Sequence, residues 1–169
     1  MNVTLRDETD TDRGAVFALN TAAFATDAEA RLVDALRVSA DPLISLVAEK
    51  DDVVVGHIMF SPVSLESHDG LRLMGLAPMA VSPALQRRGI GTRLVEAGLD
   101  RCRDIGCAAV AVLGHPEYYP RFGFRPSAAW GIDSEYDVAE EAFMLLELAP
   151  GCLDDRHGVI RYHAAFAGV

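Results

Sequence analysis

Apolar and polar positions along the chain change their period several times, and each change predicts an element. Alternation at residues 3–6 predicts a short strand. Val16, Phe17, Leu19, Asn20 and Phe24 share one face of a helix over 12–24, and Leu32, Val33 and Leu36 share one face of a second over 27–38. Thr26, with Glu29 three residues on, reads as a capping box at the second start. Apolar, β-branched runs at 44–49 and 53–63, joined by Lys50-Asp51-Asp52, predict a tight hairpin. A further turn at His68-Asp69-Gly70 leads into a strand over 71–81, which completes an antiparallel meander.

The pattern then switches to helical over 93–103, with Leu94, Val95, Leu99 and Cys102 on one face. Residues 108–113 are continuously apolar, as in a strand covered on both faces. Strand, helix and strand in this order predict a parallel pair with a crossover. A short helix near 117–122 and strands over 142–148 and 159–163 complete the set. The expected fold is α/β, a mixed and mostly antiparallel sheet with one parallel pair, flanked by helices. No repeat, low-complexity tract or linker divides it.

Composition narrows the class. Half of the 169 residues are hydrophobic and 24% are charged, a balance that buries a core and argues against disorder. The net charge of -10 argues against nucleic acid or an anionic membrane as a general partner, since both need a broad cationic face. No leader-like start or long apolar run is present, so the chain reads as cytoplasmic. Three cysteines, Cys102, Cys107 and Cys152, form no CxxC pair and read as small buried or inert thiols. His57 lies within an apolar strand and reads as a satisfied core histidine, and His157 and His163 lack metal-ligand spacing, so no metal is expected.

Charge is not spread evenly. Residues 1–50, 51–85 and 104–169 carry net charges of -4, -3 and -6, whereas residues 86–103 carry +3. That segment holds Gln86-Arg87-Arg88-Gly89-Ile90-Gly91-Thr92, between a predicted strand and a predicted helix. Glycines there let an anion approach the main chain, and the first helical turn leaves amide N–H groups without intrahelical partners under the positive end of the helix dipole. The chemistry is phosphate binding. The stretch lacks the Gly-Lys-Ser/Thr of a P-loop and the third glycine of a dinucleotide fingerprint.

Gln86-Arg87-Arg88-Gly89-Ile90-Gly91 resembles the acyl-CoA pyrophosphate loop of the GCN5-related N-acetyltransferases (GNAT), and Met79-Ala80-Val81-Ser82-Pro83 resembles the strand end before it. Tyr119-Pro120-Arg121-Phe122-Gly123-Phe124 is similar to the tyrosine, three variable residues and Gly-Phe of the same family. The wider stretch 112–124 looks like the YhbS-type branch of these acetyltransferases.

The resemblance implies a GNAT domain over 3–149, with 150–169 adding a terminal strand, and a parallel central pair that splays to admit the pantetheine arm. Pro78 beside Met79 fits a bulge there. It implies acetyl-CoA as cosubstrate and an amine as acceptor. Main-chain groups of Met79 and Val81 would pair with the arm, an N–H near Met79 or Ala80 would polarise the thioester, and Arg87 to Thr92 would wrap the pyrophosphate. Tyr119 would be the acid for the departing thiolate. His115 and Glu117, with Glu29 or Glu49, are the candidates for the base, and a water chain is the alternative. Edge-strand pairing would allow a homodimer. A non-catalytic acyl-CoA-binding module is the competing reading.

Overall fold

The hairpin at Lys50-Asp51-Asp52 forms as expected, with both aspartates in the left-handed region, φ 51° and 64°, the conformation that matches the twist of paired strands. The computed structural model describes residues 2–169. The elements are β1 (Thr4–Asp7), α1 (Arg13–Phe24), α2 (Ala28–Ser39), β2 (Ile44–Lys50), β3 (Val53–Leu65), β4 (Leu73–Val81) and α3 (Ile90–Asp104), followed by β5 (Ala109–Leu113), β6 (Arg125–Pro126), β7 (Ile132–Ser134), β8 (Phe143–Glu147) and β9 (Gly158–Tyr162). The strand order is β1-β2-β3-β4-β5-β8-β6, with β9 on β3 and β7 on β9. The fold is therefore α/β and GNAT-like, with helices flanking a mixed sheet.

Among the described residues, two pairs in the sheet are parallel. The β4–β5 ladder runs over Leu73–Gly75 against Ala109–Ala111, and the β7–β9 ladder, of equal length, runs over Ile132–Ser134 against Gly158–Ile160. The pairings of β1 with β2, β2 with β3, β5 with β8 and β3 with β9 are antiparallel.

The chain packs as two units. The first holds residues 1–61, 77–101 and 164–169, and the second holds 62–76 and 102–163. In the first, β3 is buried without interruption from Val55 to Ser61, because both its faces are covered. One face meets α3: a Cβ on Gly56 would lie 3.0 Å from Ile90 and from Leu94, and a Cβ on Gly98 would lie 2.2 Å from the ring of Phe60. The glycine in α3 exists because the Phe60 ring occupies that volume. In the second unit, Val63, Leu65, Leu73, Ala109, Ala111, Ile132, Phe143, Leu145 and Ile160 form the core, with Trp130 and Tyr162 packed against it.

The other face of β3 meets α1 through a polar chain. Arg37 on α2 makes a two-pronged ion pair with Glu8, and both side chains are buried. Ser45 Oγ donates to Glu8 Oε1 at 2.7 Å, so it accepts from His57 Nε2 at 2.9 Å. His57 is thereby the Nε2–H tautomer, and its Nδ1 accepts from Asn20 Nδ2 at 3.4 Å. Asn20 also donates to the Val16 carbonyl at 3.0 Å. His57 is the satisfied core histidine expected, at 0% exposure. Burial pushes its pKa down to about 4, with Arg37 acting in the same direction and Glu8 against it. Burial alone would raise the Glu8 pKa, but hydrogen bonds from Arg37 and Ser45 outweigh this and hold it below the usual carboxylate range.

Several expectations need correction. The capping box at Thr26 and Glu29 does not form. Asp27 is the N-cap of α2, so Glu29 falls at the second helical position, and Oε2 of Glu29 is buried without a hydrogen-bond partner. Thr26 Oγ instead accepts from Ala28 N–H at 3.4 Å. The helix near 117–122 is a single 3-10 turn, Tyr119–Phe122. The short strands β6 and β7 carry too few residues to show a period, and the pattern does not reveal them.

Candidate active site

The segment that the charge pattern marks lies in the first unit. β4 ends at Val81, and Pro83–Leu85 forms one 3-10 turn. Gln86 to Gly89 then runs exposed into α3. Arg93 N–H bonds to the Gly89 carbonyl at 3.1 Å, so the amides of Gly89, Ile90 and Gly91 precede the helix's own ladder. Arg87 has φ 64° and Gly89 has φ 88°, left-handed turns that aim successive N–H groups outward rather than into a ladder. A Cβ on Gly89 would meet nothing within 4 Å. Glycine stands there for its φ and leaves open space over the helix start.

Of the bases in this segment, Arg93 donates to the Val3 carbonyl at 2.9 Å and Arg101 pairs with Asp7. Arg87 and Arg88 are exposed and bonded to no other described residue, which leaves two guanidinium forks beside the orphan amides. That donor set suits the paired anionic oxygens of a diphosphate. Ile90, by contrast, is a core residue at 2% exposure, so of this position only the amide is available to a ligand, and Gly91 and Thr92 are half-buried. Gln86 Nε2 donates to the Val81 carbonyl at 3.1 Å, tying the loop to the strand end. Met79 and Val81 are half-buried while Ala80 is buried, the alternation of a strand with one face covered. β4 runs six residues beyond Gly75, the last residue of its ladder with β5.

The second unit carries Tyr119. Its ring is 8% exposed, edge-on to Tyr118 at 5.0 Å and to Phe124 at 5.7 Å between centroids. Gly123, at φ 100°, closes the 3-10 turn with its N–H on the Pro120 carbonyl and reverses the chain, so that Phe124 lands on the tyrosine ring. The spacing from Tyr119 to Gly123-Phe124 is thus the length of that turn. Gly114 completes the pocket: a Cβ there would lie 2.4 Å from the Tyr119 ring. This glycine escapes a sequence reading, and its one signal is its place directly after a fully apolar strand. Burial, with Tyr118 adding to it, pushes the Tyr119 pKa up to about 12.

His115 and Glu117 sit in the exposed turn between β5 and Tyr119, and the His115 carbonyl accepts the N–H groups of Tyr118 and Tyr119 at 3.1 and 3.3 Å. Arg121 lies 4.3 Å above the Tyr118 ring. The structure thus groups His115, Glu117 and Tyr119 in one loop, while Met79 to Thr92 belong to the first unit with Glu29 and Glu49. Among the described residues, no cluster of three or more His, Cys, Asp or Glu side chains could hold a metal ion, and no helix is long and apolar enough to cross a membrane.

Comparison with known proteins identifies the family. The sequence model of the Acetyltransferase (GNAT) family matches residues 10–124. The uncharacterized N-acetyltransferase YhbS of Escherichia coli K12 is 37% identical over 163 residues, 96% of this chain and 97% of its own. The uncharacterized N-acetyltransferase YjhQ of the same strain is 40% identical over 134 residues, covering 77% and 74% of the two chains. Among solved structures, E. coli YhbS in complex with CoA superposes with a TM-score of 0.92 at 35% identity, covering 99% of this chain and 93% of that one. A GNAT family acetyltransferase from Brucella melitensis in complex with acetyl-CoA gives 0.81, also at 35% identity, covering 98% of each chain. With the loop, the tyrosine turn and the parallel pair all present on one chain, the protein belongs to the GNAT family of acetyltransferases and is of the YhbS type.

Proposed function

We propose that the protein is an acetyl-CoA-dependent N-acetyltransferase that passes the acetyl group directly to an amine of a small molecule or protein within a ternary complex. The observation that carries this reading is the Gln86–Gly91 turn, with amides ahead of the α3 ladder and two arginines, Arg87 and Arg88, that bond to no other described residue. Relatives at 35% identity over nearly the whole chain bind CoA and acetyl-CoA, which supports a diphosphate as the ligand of that turn.

The acceptor must react as a neutral amine, because an alkylammonium, with a pKa near 10.4, has no free lone pair. Its nitrogen attacks the thioester carbonyl carbon, and the carbonyl π electrons move to oxygen, where an N–H near Met79 or Ala80 stabilises the charge. Collapse of this intermediate breaks the C–S bond, and the net reaction moves one proton from the amine to the CoA thiol. Tyr119, with its pKa pushed up to about 12, stays protonated throughout the working range. Full transfer of its proton to a thiolate whose acid has a pKa near 8.5 would be uphill by roughly 5 kcal/mol, so its role is to donate a hydrogen bond to the departing sulfur. His115 and Glu117, in the turn before Tyr119, are the side chains proposed to take the amine's proton, with water as the alternative.

A second reading, a non-catalytic acyl-CoA-binding module, draws on the packing of Tyr119 among Gly114, Tyr118 and Phe124. Free-thiol release from acetyl-CoA with a panel of amines separates the two. Tyr119→Phe lowers kcat about 100-fold or more and leaves the Kd for acetyl-CoA unchanged if the enzyme reading holds. Turnover that is unaffected by the substitution removes Tyr119 from the reaction, and cofactor binding without turnover on any amine leaves the binding module. Failure of acetyl-CoA to raise the Tm overturns both readings.

A further inference from the structure

The helix α3 ends in a turn that brings two cysteines together. Gly106, at φ 77°, donates its N–H to the Arg103 carbonyl at 3.0 Å, and Cys107 donates to the Cys102 carbonyl at 2.9 Å. These are the paired bonds of a Schellman motif, which places residue 102 of the last helical turn against residue 107 beyond it. In most helices an apolar contact fills that position. Here both side chains are buried thiols, close enough that each shifts the titration of the other.

The 2.9 Å bond from Cys107 N to Cys102 O limits their Cα separation to no more than about 6.8 Å, inside the range that a disulfide spans. We propose that Cys102 and Cys107 are a site of reversible two-electron oxidation, forming an intramolecular disulfide when a small hydroperoxide such as hydrogen peroxide reaches them.

The two thiols have different roles. Cys107 Sγ donates to the Ala109 carbonyl at 3.1 Å. The Cys102 thiol beside it, main-chain groups and Arg72 hold the Cys107 pKa below the usual thiol range, whereas Cys107 and burial hold that of Cys102 above it. Cys107, at 5% exposure against 0% for Cys102, is the sulfur a peroxide meets first and the attacking one, and Cys102 is the resolving one. The Cys107 thiolate attacks one peroxide oxygen, the O–O bond breaks, and hydroxide leaves and takes up a proton as water. The Cys102 sulfur then displaces hydroxide from the resulting sulfenic acid. The S–O bond breaks, the S–S bond forms, and the second water carries away the Cys102 proton. Two thiols lose two electrons, and one peroxide is reduced to two waters. Cys152 lies near Cys107 as well, but its Sγ is engaged with the Ala108 carbonyl at 3.3 Å, and burial pushes its pKa up to about 11.

The test uses the folded, full-length protein, reduced and then treated with hydrogen peroxide, with intact mass and alkylation after denaturation as readouts. The expected result is a loss of about 2 Da, two of the three cysteines protected from alkylation, a Cys102–Cys107 link in the peptide map, and full reversal by dithiothreitol. Cys152→Ser retains the link, and Cys107→Ser abolishes it. The proposal is overturned if all three thiols of the wild type remain alkylatable, if the link involves Cys152, or if Cys107 proceeds to sulfinic acid without pairing. Because the wild type alone can give each of these outcomes, a variant that fails to fold does not affect the result.

Discussion

Acidification should unfold this protein through His57 before it does so through its carboxylates. The ring is neutral in the fold and its pKa is pushed down to about 4, whereas in the unfolded chain it returns to about 6.5. Between those values the unfolded state binds the extra proton, so stability rises with pH in that window and is lost as pH falls through it. Taking the two pKa values, the His57 contribution changes by about 2.5 kcal/mol between pH 7.5 and 4.5, with most of the slope near 1.4 kcal/mol per pH unit. Burial sets its sign: Glu8 favours the imidazolium and Arg37 disfavours it, but desolvation exceeds both. The low pKa of Glu8 gives stability that is present above about pH 4.3 and lost below it, so it does not obscure the window.

Urea unfolding of the wild type and His57→Gln at pH 7.5 and 4.5 checks this. The difference between the two proteins should shift by about 2 to 3 kcal/mol in favour of the variant on acidification. In the wild type, the His57 ring proton signal should show no titration above about pH 5. A gap between the two proteins that is independent of pH, or a His57 signal that titrates near 6.5, would refute the reasoning.

Arg87→Ala and Arg88→Ala should each raise the KM for acetyl-CoA about tenfold, the loss of one charge-assisted bond, and leave the Tm unchanged because neither side chain is bonded to another described residue. A lowered Tm with unaltered KM would contradict this. Gly98→Ala sets a Cβ 2.2 Å from the fully buried Phe60 ring, and the overpacking should outweigh the gain in helix propensity by about 1 to 2 kcal/mol. A thermal melt should record a Tm lower by about 3 to 6 °C. Gly114→Ala pushes a Cβ to 2.4 Å from the Tyr119 ring, so turnover should fall while binding of acetyl-CoA, measured by calorimetry, persists. Undiminished turnover in that variant would dissociate the ring's position from the chemistry.

Much of the fold is written locally. Asp51-Asp52 between two β-branched runs specifies its own turn, and the glycines of 86–91 before a helical period specify a helix start with free amides. The Tyr119 to Phe124 spacing encodes one 3-10 turn. Each of these depends on residues within about six positions of one another, so pattern alone reveals them, and the family follows. The YhbS-type assignment was legible in this way, and the parallel pair followed from the strand–helix–strand order.

Tertiary structure decided what depends on partners far apart in sequence. Thr26 and Glu29 have the spacing of a capping box, yet the chain enters α2 one residue later, at Asp27, and Glu29 turns inward instead. His57 reads as a core histidine, but the chain of Asn20, Ser45, Glu8 and Arg37 that sets its tautomer joins residues 12 to 37 positions away. Cys102 and Cys107 show no motif spacing, and only the left-handed turn at Gly106 makes them neighbours. Gly98 and Gly114 look like ordinary glycines until Phe60 and Tyr119 fill the space beside them. The sequence by itself determined most of the elements, the glycine turn before α3 and the family, because main-chain preference and charge act over short range. Which buried group meets which was decided by packing, because a close-packed interior admits one partner per volume and that partner comes from anywhere along the chain.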